Sequence, residues 1–374
     1  MKAIAKIKKG KGLKIIEAPV PRPAADEVLI QVDVVSICGT DLHLDRWDAW
    51  AGKRVTHLPQ IIGHEFSGHV VEIGKAVQGF QIGDPVTADS HIPCLKCAIC
   101  LKEMPHLCNH LQILGIDRDG CFAEYVVIPA RSLWKNAPDL PAEIASIQDP
   151  LGNAVYATLV EPVEGQNVVI LGDGPVGLFA AGVARASGAQ KIILTGLNPL
   201  TLEIALKMGV DRVIHAQEED VTQIIRDECE GIGADVLLEM SGNAQAISDG
   251  LSALRKGGRF CAFGLPSSPV PIDFSDQIIF KGIRLFGISG RLMFKTWRQM
   301  ADLLHAGKLN PRPVLTHFLD FDDFEQGFAL MEATPRLAGK VVLVLKPALL
   351  KEIQNRQSLA VPRFVSPPPL IKGD

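Results

Sequence analysis

Three groups of residues in this 374-residue chain have types and spacings that can do chemistry. The densest is Cys94, Cys97, Cys100 and Cys108, four thiols within fifteen positions. Tetrahedral Zn²⁺ held by four thiolates needs such clustering, and a closed shell of sulfurs leaves no exchangeable position, so a zinc here is structural. An iron–sulfur cluster or unligated thiols are the alternatives for the same spacing. The second group is Cys38-Gly39-Thr40-Asp41-Leu42-His43 together with Gly63-His64-Glu65. A cysteine, a histidine and a carboxylate supply three ligands and leave a fourth position open, as a catalytic zinc requires. A buried Cys38 and a capping His64 are the plain alternative. Asp149 stands where the first half of the chain gives way to the second, the expected edge of a cleft, and is a candidate ligand or supporting group.

The third group is a nucleotide loop. An apolar run at 168–171 enters Gly172-Asp173-Gly174-Pro175-Val176-Gly177 and then a helix of small residues. In this GxGxxG turn Gly172 permits the tight bend, Gly174 lets backbone approach a pyrophosphate, and Gly177 lets helix and strand pack closely. The helix N-terminus supplies N–H groups and partial positive charge. A dinucleotide fold places an acid about 20 residues further on for the adenosine ribose. Here the text is Thr195-Gly196-Leu197-Asn198, with no acid to repel a 2′-phosphate and no arginine directly after it to receive one. NAD and NADP both stay open.

Several elements must hold these groups. Residues 15–149 are short β-rich runs between Gly, Pro and Asp, which implies a compact β-fold. From 152 to 290 apolar strands alternate with helical stretches, at 168–171, 191–195, 212–215, 235–239, 259–263 and 284–287. Six strands in that rhythm imply a doubly wound parallel sheet in an α/β protein. A helix is expected over 292–306, and a strand over 340–345 that pairs back with the first half, so the catalytic domain is split. Residues 347–374, with Pro362, Pro367, Pro368 and Pro369, read as a flexible tail. Cys121, Cys229 and Cys261 stand alone in apolar contexts and read as core.

Composition narrows the partners. With 47% apolar and 21% charged residues the chain can bury large cores in two or three domains. A balance of 38 basic against 42 acidic residues, net −4, offers no attraction to nucleic acid or an anionic membrane. No uncharged apolar run reaches the roughly 18 residues of a bilayer span. The first fourteen residues lack the apolar core of a secretory signal and read as the opening strand of a cytoplasmic protein. The expected partner is a small-molecule substrate.

The chain resembles the zinc-dependent medium-chain alcohol dehydrogenases over nearly all of residues 1–346. Within that superfamily it is most similar to the branch that oxidises L-threonine at its secondary alcohol. The resemblance is carried by the two motifs of the second group, by Trp47-Asp48-Ala49-Trp50, by Gly120-Cys121-Phe122-Ala123-Glu124-Tyr125, by Asp149-Pro150-Leu151-Gly152-Asn153-Ala154-Val155, and by Gly290-Arg291-Leu292-Met293-Phe294-Lys295-Thr296-Trp297. It implies a GroES-like catalytic domain at 1–152 and 293–346, with the structural zinc lobe at about 90–112, and a Rossmann domain at 153–292. It also implies one catalytic and one structural Zn²⁺ per chain, and a homotetramer. By resemblance Cys38, His64 and Glu65 hold the catalytic zinc, Asp149 assists there, and Thr40 and His43 form the proton relay. Val176, Phe263, Gly264, Leu265, Ile288 and Ser289 match positions that touch the nicotinamide cofactor. Gly196 stands where the family has its ribose-binding acid, and Thr201 where it usually has an arginine. The implied product from L-threonine is 2-amino-3-oxobutanoate, with His91 or Asp149 as acceptors for the substrate ammonium. A polyol or vicinal-diol dehydrogenase is the rival within the superfamily. A non-catalytic nicotinamide-nucleotide-binding protein is the rival outside it, although a protein that only binds nucleotide needs no relay.

Overall fold

The computed structural model describes residues 1–360. The expected alternation folds into a six-stranded parallel sheet. Its order is Arg212–His215, Lys191–Gly196, Asn167–Leu171, Ala234–Glu239, Leu254–Ala262 and Arg284–Gly287. The strand order reverses between the parallel neighbours Asn167–Leu171 and Ala234–Glu239, so a crevice opens at their carboxyl ends, where doubly wound sheets bind ligands. Val168, Ile170, Leu194, Val236 and Leu238 are fully buried because both faces of the sheet are covered.

The β-rich lobe is built on a seven-stranded sheet whose centre is the ten-residue strand Glu27–Ser36. Phe66–Ile73 and Tyr125–Pro129 pair with it, and Lys340–Val344 returns from the far end of the chain to lie antiparallel to it, with Val342 opposite Ser36. That return closes the lobe. The helix Lys295–His305 packs against Gln148–Leu159, and its Trp297 and Met300 share a core with Val168, Ile170 and Phe179 of the parallel-sheet lobe. The same core takes in Val34, Val342 and Val344 of the β-rich lobe's sheet, so this helix packs where the two lobes join.

The tail expected to be flexible from 347 is corrected over its first part. Pro347–Ala360 is a helix in which Ile353 is completely buried, and Leu349 and Leu350 pack on the same core. Arg356 Nη2 lies 3.2 Å from Glu143 Oε2, while Arg312 Nη2 takes Glu143 Oε1 at 2.7 Å. Three apolar residues at helical spacing outweigh the prolines, which all follow Ala360 apart from Pro347 at the helix start. Residues 361–374, the rest of that expectation, lie outside the described residues. Among the described residues no helix is long and apolar enough to cross a membrane.

Candidate active site

Strand Glu27–Ser36 runs through Ile37 into Cys38, which caps the helix Gly39–Arg46. The β-rich text gave no sign of this helix, yet Thr40 and His43 ride on it. Cys38 N–H donates to Asp41 Oδ2 at 2.8 Å, which locks the first turn. Thr40 Oγ1 lies 3.8 Å from Cys38 Sγ. His43 is half-exposed, and its Nδ1 meets Asp48 Oδ2 at 2.5 Å while Asp48 Oδ1 caps the next helix, Ala49–Arg54.

The structure brings one ligand atom each of Cys38, His64 and Glu65 within 4.8 Å of one another. Glu65 is fully buried, and its Oε2 is taken by Ser36 Oγ and by Lys340 Nζ at 2.5 Å. Its Oε1 has no hydrogen-bond partner, and neither has His64 Nδ1. Burial disfavours a charge on His64, yet Cys38, Asp41 and Asp149 outweigh it and lift the imidazole to about 10. A pocket whose field holds a proton so strongly, with a soft thiol and a spare carboxylate oxygen beside it, suits a divalent cation such as Zn²⁺.

Asp149, expected as a ligand or supporting group, lies close enough to raise the His64 imidazole and is held in a buried ion pair. Its Oδ1 pairs with Arg291 Nη1 at 2.8 Å and its Oδ2 accepts from Ser90 N–H at 3.2 Å. Arg291 also forks onto Asp89, with Nη2 to Oδ1 at 2.6 Å and Nε to Oδ2 at 3.2 Å, and donates to Asn153 Oδ1 and Ser90 Oγ, both at 2.9 Å. Trp297 Nε1 completes the cluster on Asp89 Oδ2 at 3.0 Å. Two motifs that carried the family resemblance thus meet in one buried ionic knot. Their glycines make room for it: a Cβ on Gly152 would strike Arg291 Cδ at 2.8 Å, and one on Gly290 would strike the His91 ring at 2.4 Å. His91 is half-buried beside this knot with an unpartnered Nδ1, and desolvation with the Arg291 charge pushes it down to about 4.

In the cysteine lobe the Sγ–Sγ separations are 3.5 Å for Cys94–Cys108, 3.6 Å for Cys97–Cys100 and 3.8 Å for Cys97–Cys108. Zn–S bonds of about 2.3 Å in a tetrahedron put sulfurs about 3.8 Å apart, so the quartet matches a zinc cage in size. Backbone N–H groups of Cys94, Cys97 and His110 point at the sulfurs at 3.3 Å. All eight cysteines are free thiols, and Cys121, Cys229 and Cys261 are buried.

The nucleotide loop leaves strand Asn167–Leu171 and enters the helix Pro175–Ala186 with Gly174 as its cap. Gly172 has φ +113°, and a Cβ on Gly177 would sit 2.1 Å from Gly172 O, so neither place admits a side chain. Gly174 opens onto a groove of about 260 Å³ lined by Gly172, Asp173, Asn198, Thr201, Ser241 and Arg336. Gly196 and Thr201 lie at this end of the groove. Val176, Phe263 and Ile288 join one apolar cluster, where Phe263 and Gly264 N–H bond Glu239 O and Ile288 N–H bonds Ala262 O. Leu265 and Ser289 are exposed beside them.

Residues 24–139 match the alcohol dehydrogenase GroES-like domain family, and residues 175–306 match the zinc-binding dehydrogenase family. Over 347 residues the chain is 46% identical to L-threonine 3-dehydrogenase of Pyrococcus horikoshii, covering 92% of this chain and 99% of that one. The chain belongs to the zinc-binding alcohol dehydrogenase family. The Bacillus subtilis L-threonine 3-dehydrogenase is 42% identical over 344 residues, again 92% of this chain and 98% of that relative. An Escherichia coli alcohol dehydrogenase solved with NADH superposes on this zinc-binding dehydrogenase with TM-score 0.84 at 27% identity, covering 92% and 99% of the two chains. A zinc-binding dehydrogenase of Sinorhizobium meliloti bound to NADP gives the same score and identity, over 92% and 98%.

Four participants escaped sequence reasoning. Ser36, Asp48 and Asp89 gave no separate signal. Lys340 did give one, as a lone cation heading the otherwise apolar strand Lys340–Val344 and wholly buried against Glu65.

Proposed function

We propose that this dehydrogenase oxidises the secondary alcohol of L-threonine to 2-amino-3-oxobutanoate with NAD(P) as hydride acceptor. The observation that carries the reading is the three-donor pocket of Cys38, His64 and Glu65, with Glu65 Oε1 left unpaired, in a chain 46% identical over its relative's full catalytic length. Cys38, His64 and Glu65 would hold Zn²⁺, which as a Lewis acid lowers the alcohol's pKa, while the nicotinamide takes the hydride.

The chain's own residues then have distinct tasks. Lys340 and Ser36 fix Glu65 through one oxygen, so the other faces the metal position. Thr40, beside the Cys38 thiol, is placed to accept the alcohol proton. His43 stands three residues further along the same helix face, half in solvent, and Asp48 Oδ2 orients its ring through Nδ1, so the proton can leave the cleft there. Asp149 acts as a positioning residue through Arg291, because one of its oxygens is held by that guanidinium and the other by Ser90 N–H. Gly174 lets the backbone approach the pyrophosphate, with Gly172 making the bend and Gly177 packing the helix on the strand, and Val176, Phe263, Gly264, Leu265, Ile288 and Ser289 line the nicotinamide end. The four-cysteine lobe holds a structural zinc.

The outer strand Arg284–Gly287 leaves an open sheet edge, and Leu285, Phe274, Ile279 and Phe280 expose apolar surface around it, which supports a homo-oligomer, a tetramer in this reading. Eight free thiols suit a reducing, cytoplasmic setting. The deciding experiment is a steady-state assay of L-threonine against sorbitol and 2,3-butanediol. Turnover of threonine at low millimolar concentration supports the reading, preference for a polyol or diol moves it to another substrate class, and tight nucleotide binding without turnover of any alcohol refutes it.

A further inference from the structure

The adenosine end of the groove holds a substitution whose partner lies in a different loop. Strand Lys191–Gly196 ends without an acid, but the space beside Gly196 is filled. A Cβ built there would lie 2.5 Å from Asp173 Cβ and Cγ and 2.6 Å from Asp173 Oδ2. The carboxylate of the glycine loop therefore occupies the ground that a side chain at 196 would take. It is also held there: Oδ2 accepts from Leu197 N–H at 3.0 Å, Asn198 N–H at 2.9 Å and Thr201 Oγ1 at 2.7 Å. Thr201, which looked only like a lost arginine, supplies one of those three donors. Asp173 Oδ1 has no partner among the described residues, and Asp173 lines the groove.

One cation lines the same groove. Arg336 arrives from the stretch between the helix Phe324–Glu332 and strand Lys340–Val344, where its carbonyl accepts from Asn198 Nδ2 at 2.5 Å. Its Nη1 is 4.0 Å from where a Cβ on Gly174 would stand. Among the described residues its guanidinium has no hydrogen bond and no carboxylate within 4.0 Å, although it is half-buried and feels the charge of Asp173. The free cation is thus at the second glycine, where backbone approaches a pyrophosphate, and the free carboxylate oxygen is at the end of the second strand, where ribose hydroxyls are bound.

We propose that Asp173 replaces the missing strand-end acid as the acceptor for the adenosine ribose hydroxyls and makes this chain select NAD over NADP, while Arg336 holds the pyrophosphate. This rests on the nicotinamide-dinucleotide reading above. A 2′-phosphate would bring its charge against a carboxylate that three donors prevent from moving aside. Arg336 cannot relieve that contact while it serves the phosphates beside Gly174.

The test is calorimetric titration of the purified full chain with NAD and with NADP, without alcohol. NAD is expected to bind at least about thirtyfold more tightly. Asp173→Asn should weaken NAD about tenfold and leave NADP unchanged or improved, so that the ratio between them collapses. Gly196→Ala keeps every charge but displaces the carboxylate, and should lower the ratio in the same direction. Arg336→Ala should weaken both nucleotides by a similar factor of about ten and keep the ratio. NADP binding gives a check on folding in each variant. A parent that prefers NADP, an Asp173→Asn variant that weakens both nucleotides equally, or an Arg336→Ala variant that loses NADP alone overturns the proposal while leaving the dinucleotide reading intact. Binding of neither nucleotide by the parent overturns that reading, and the proposal falls with it.

Discussion

Replacing Arg291 by methionine removes one guanidinium from between two buried carboxylates and leaves the volume nearly filled. Arg291, Asp89 and Asp149 are all buried, and the pairs close at 2.6 Å and 2.8 Å. Unit charges about 4 Å apart at an effective dielectric near 20 interact by about 4 kcal/mol, and one-sided loss of a buried pair costs about 3–5 kcal/mol. With two carboxylates stranded by one substitution, the expected loss at pH 7 is at the upper end, about 4–5 kcal/mol. Burial would raise Asp89, but Arg291 outweighs it and holds the carboxyl below its usual range. In the variant that support is gone, so protons bind more readily and the deficit should shrink toward pH 5. Arg291→Lys keeps the charge but cannot fork across both partners, and should cost about 2 kcal/mol. Urea unfolding followed by tryptophan emission is a direct assay, because Trp297 donates to Asp89 and its ring lies 5.7 Å from that of Trp134. A midpoint shift for Arg291→Met worth less than about 1 kcal/mol, or a deficit identical at pH 5 and pH 7, would refute the idea that this pairing holds the cleft edge.

Two further outcomes are expected. Cys38→Ser should abolish turnover with an unfolding midpoint close to the parent's, and Cys97→Ser should lower stability or assembly, each with about one zinc lost by elemental analysis; equal loss of activity at undiminished stability in both would contradict two sites with separate roles. His91, pushed down to about 4 from an ordinary value near 6.5, is neutral when folded. The unfolded chain binds the extra proton between those values, so this contribution is fully present above about pH 6.5 and stability falls as the pH drops from there toward 4. Removing the group by His91→Asn should flatten the fall by on the order of 3 kcal/mol between pH 7 and pH 4 in parallel urea titrations.

Much of this was legible in local order. The glycines of the nucleotide turn stand where a strand becomes a helix, and Gly177 has no room for a Cβ, so a short-range steric need writes itself into adjacent letters. The cysteine quartet is equally local, since four sulfurs on fifteen residues can close on one ion without help from the rest of the chain. The docked helix Pro347–Ala360 was not legible there, because its stability depends on where Ile353 lands in the fold, while the prolines beside it carry the local signal of a flexible tail.

What the linear order could not show is which charges meet. Cys38, His64 and Glu65 were named from motifs, but that Glu65 has one oxygen tied to Lys340, 275 positions away, is a product of the returning strand Lys340–Val344. That Asp149 pairs with Arg291, 142 positions away, and that Asp173 fills the space beside Gly196, are likewise set by the fold. Steric demands of neighbours along the chain are recorded in sequence; the electrostatic partner of a buried ion is chosen by packing, because a charge taken from water must be paired by whatever side chain the tertiary fold brings to it.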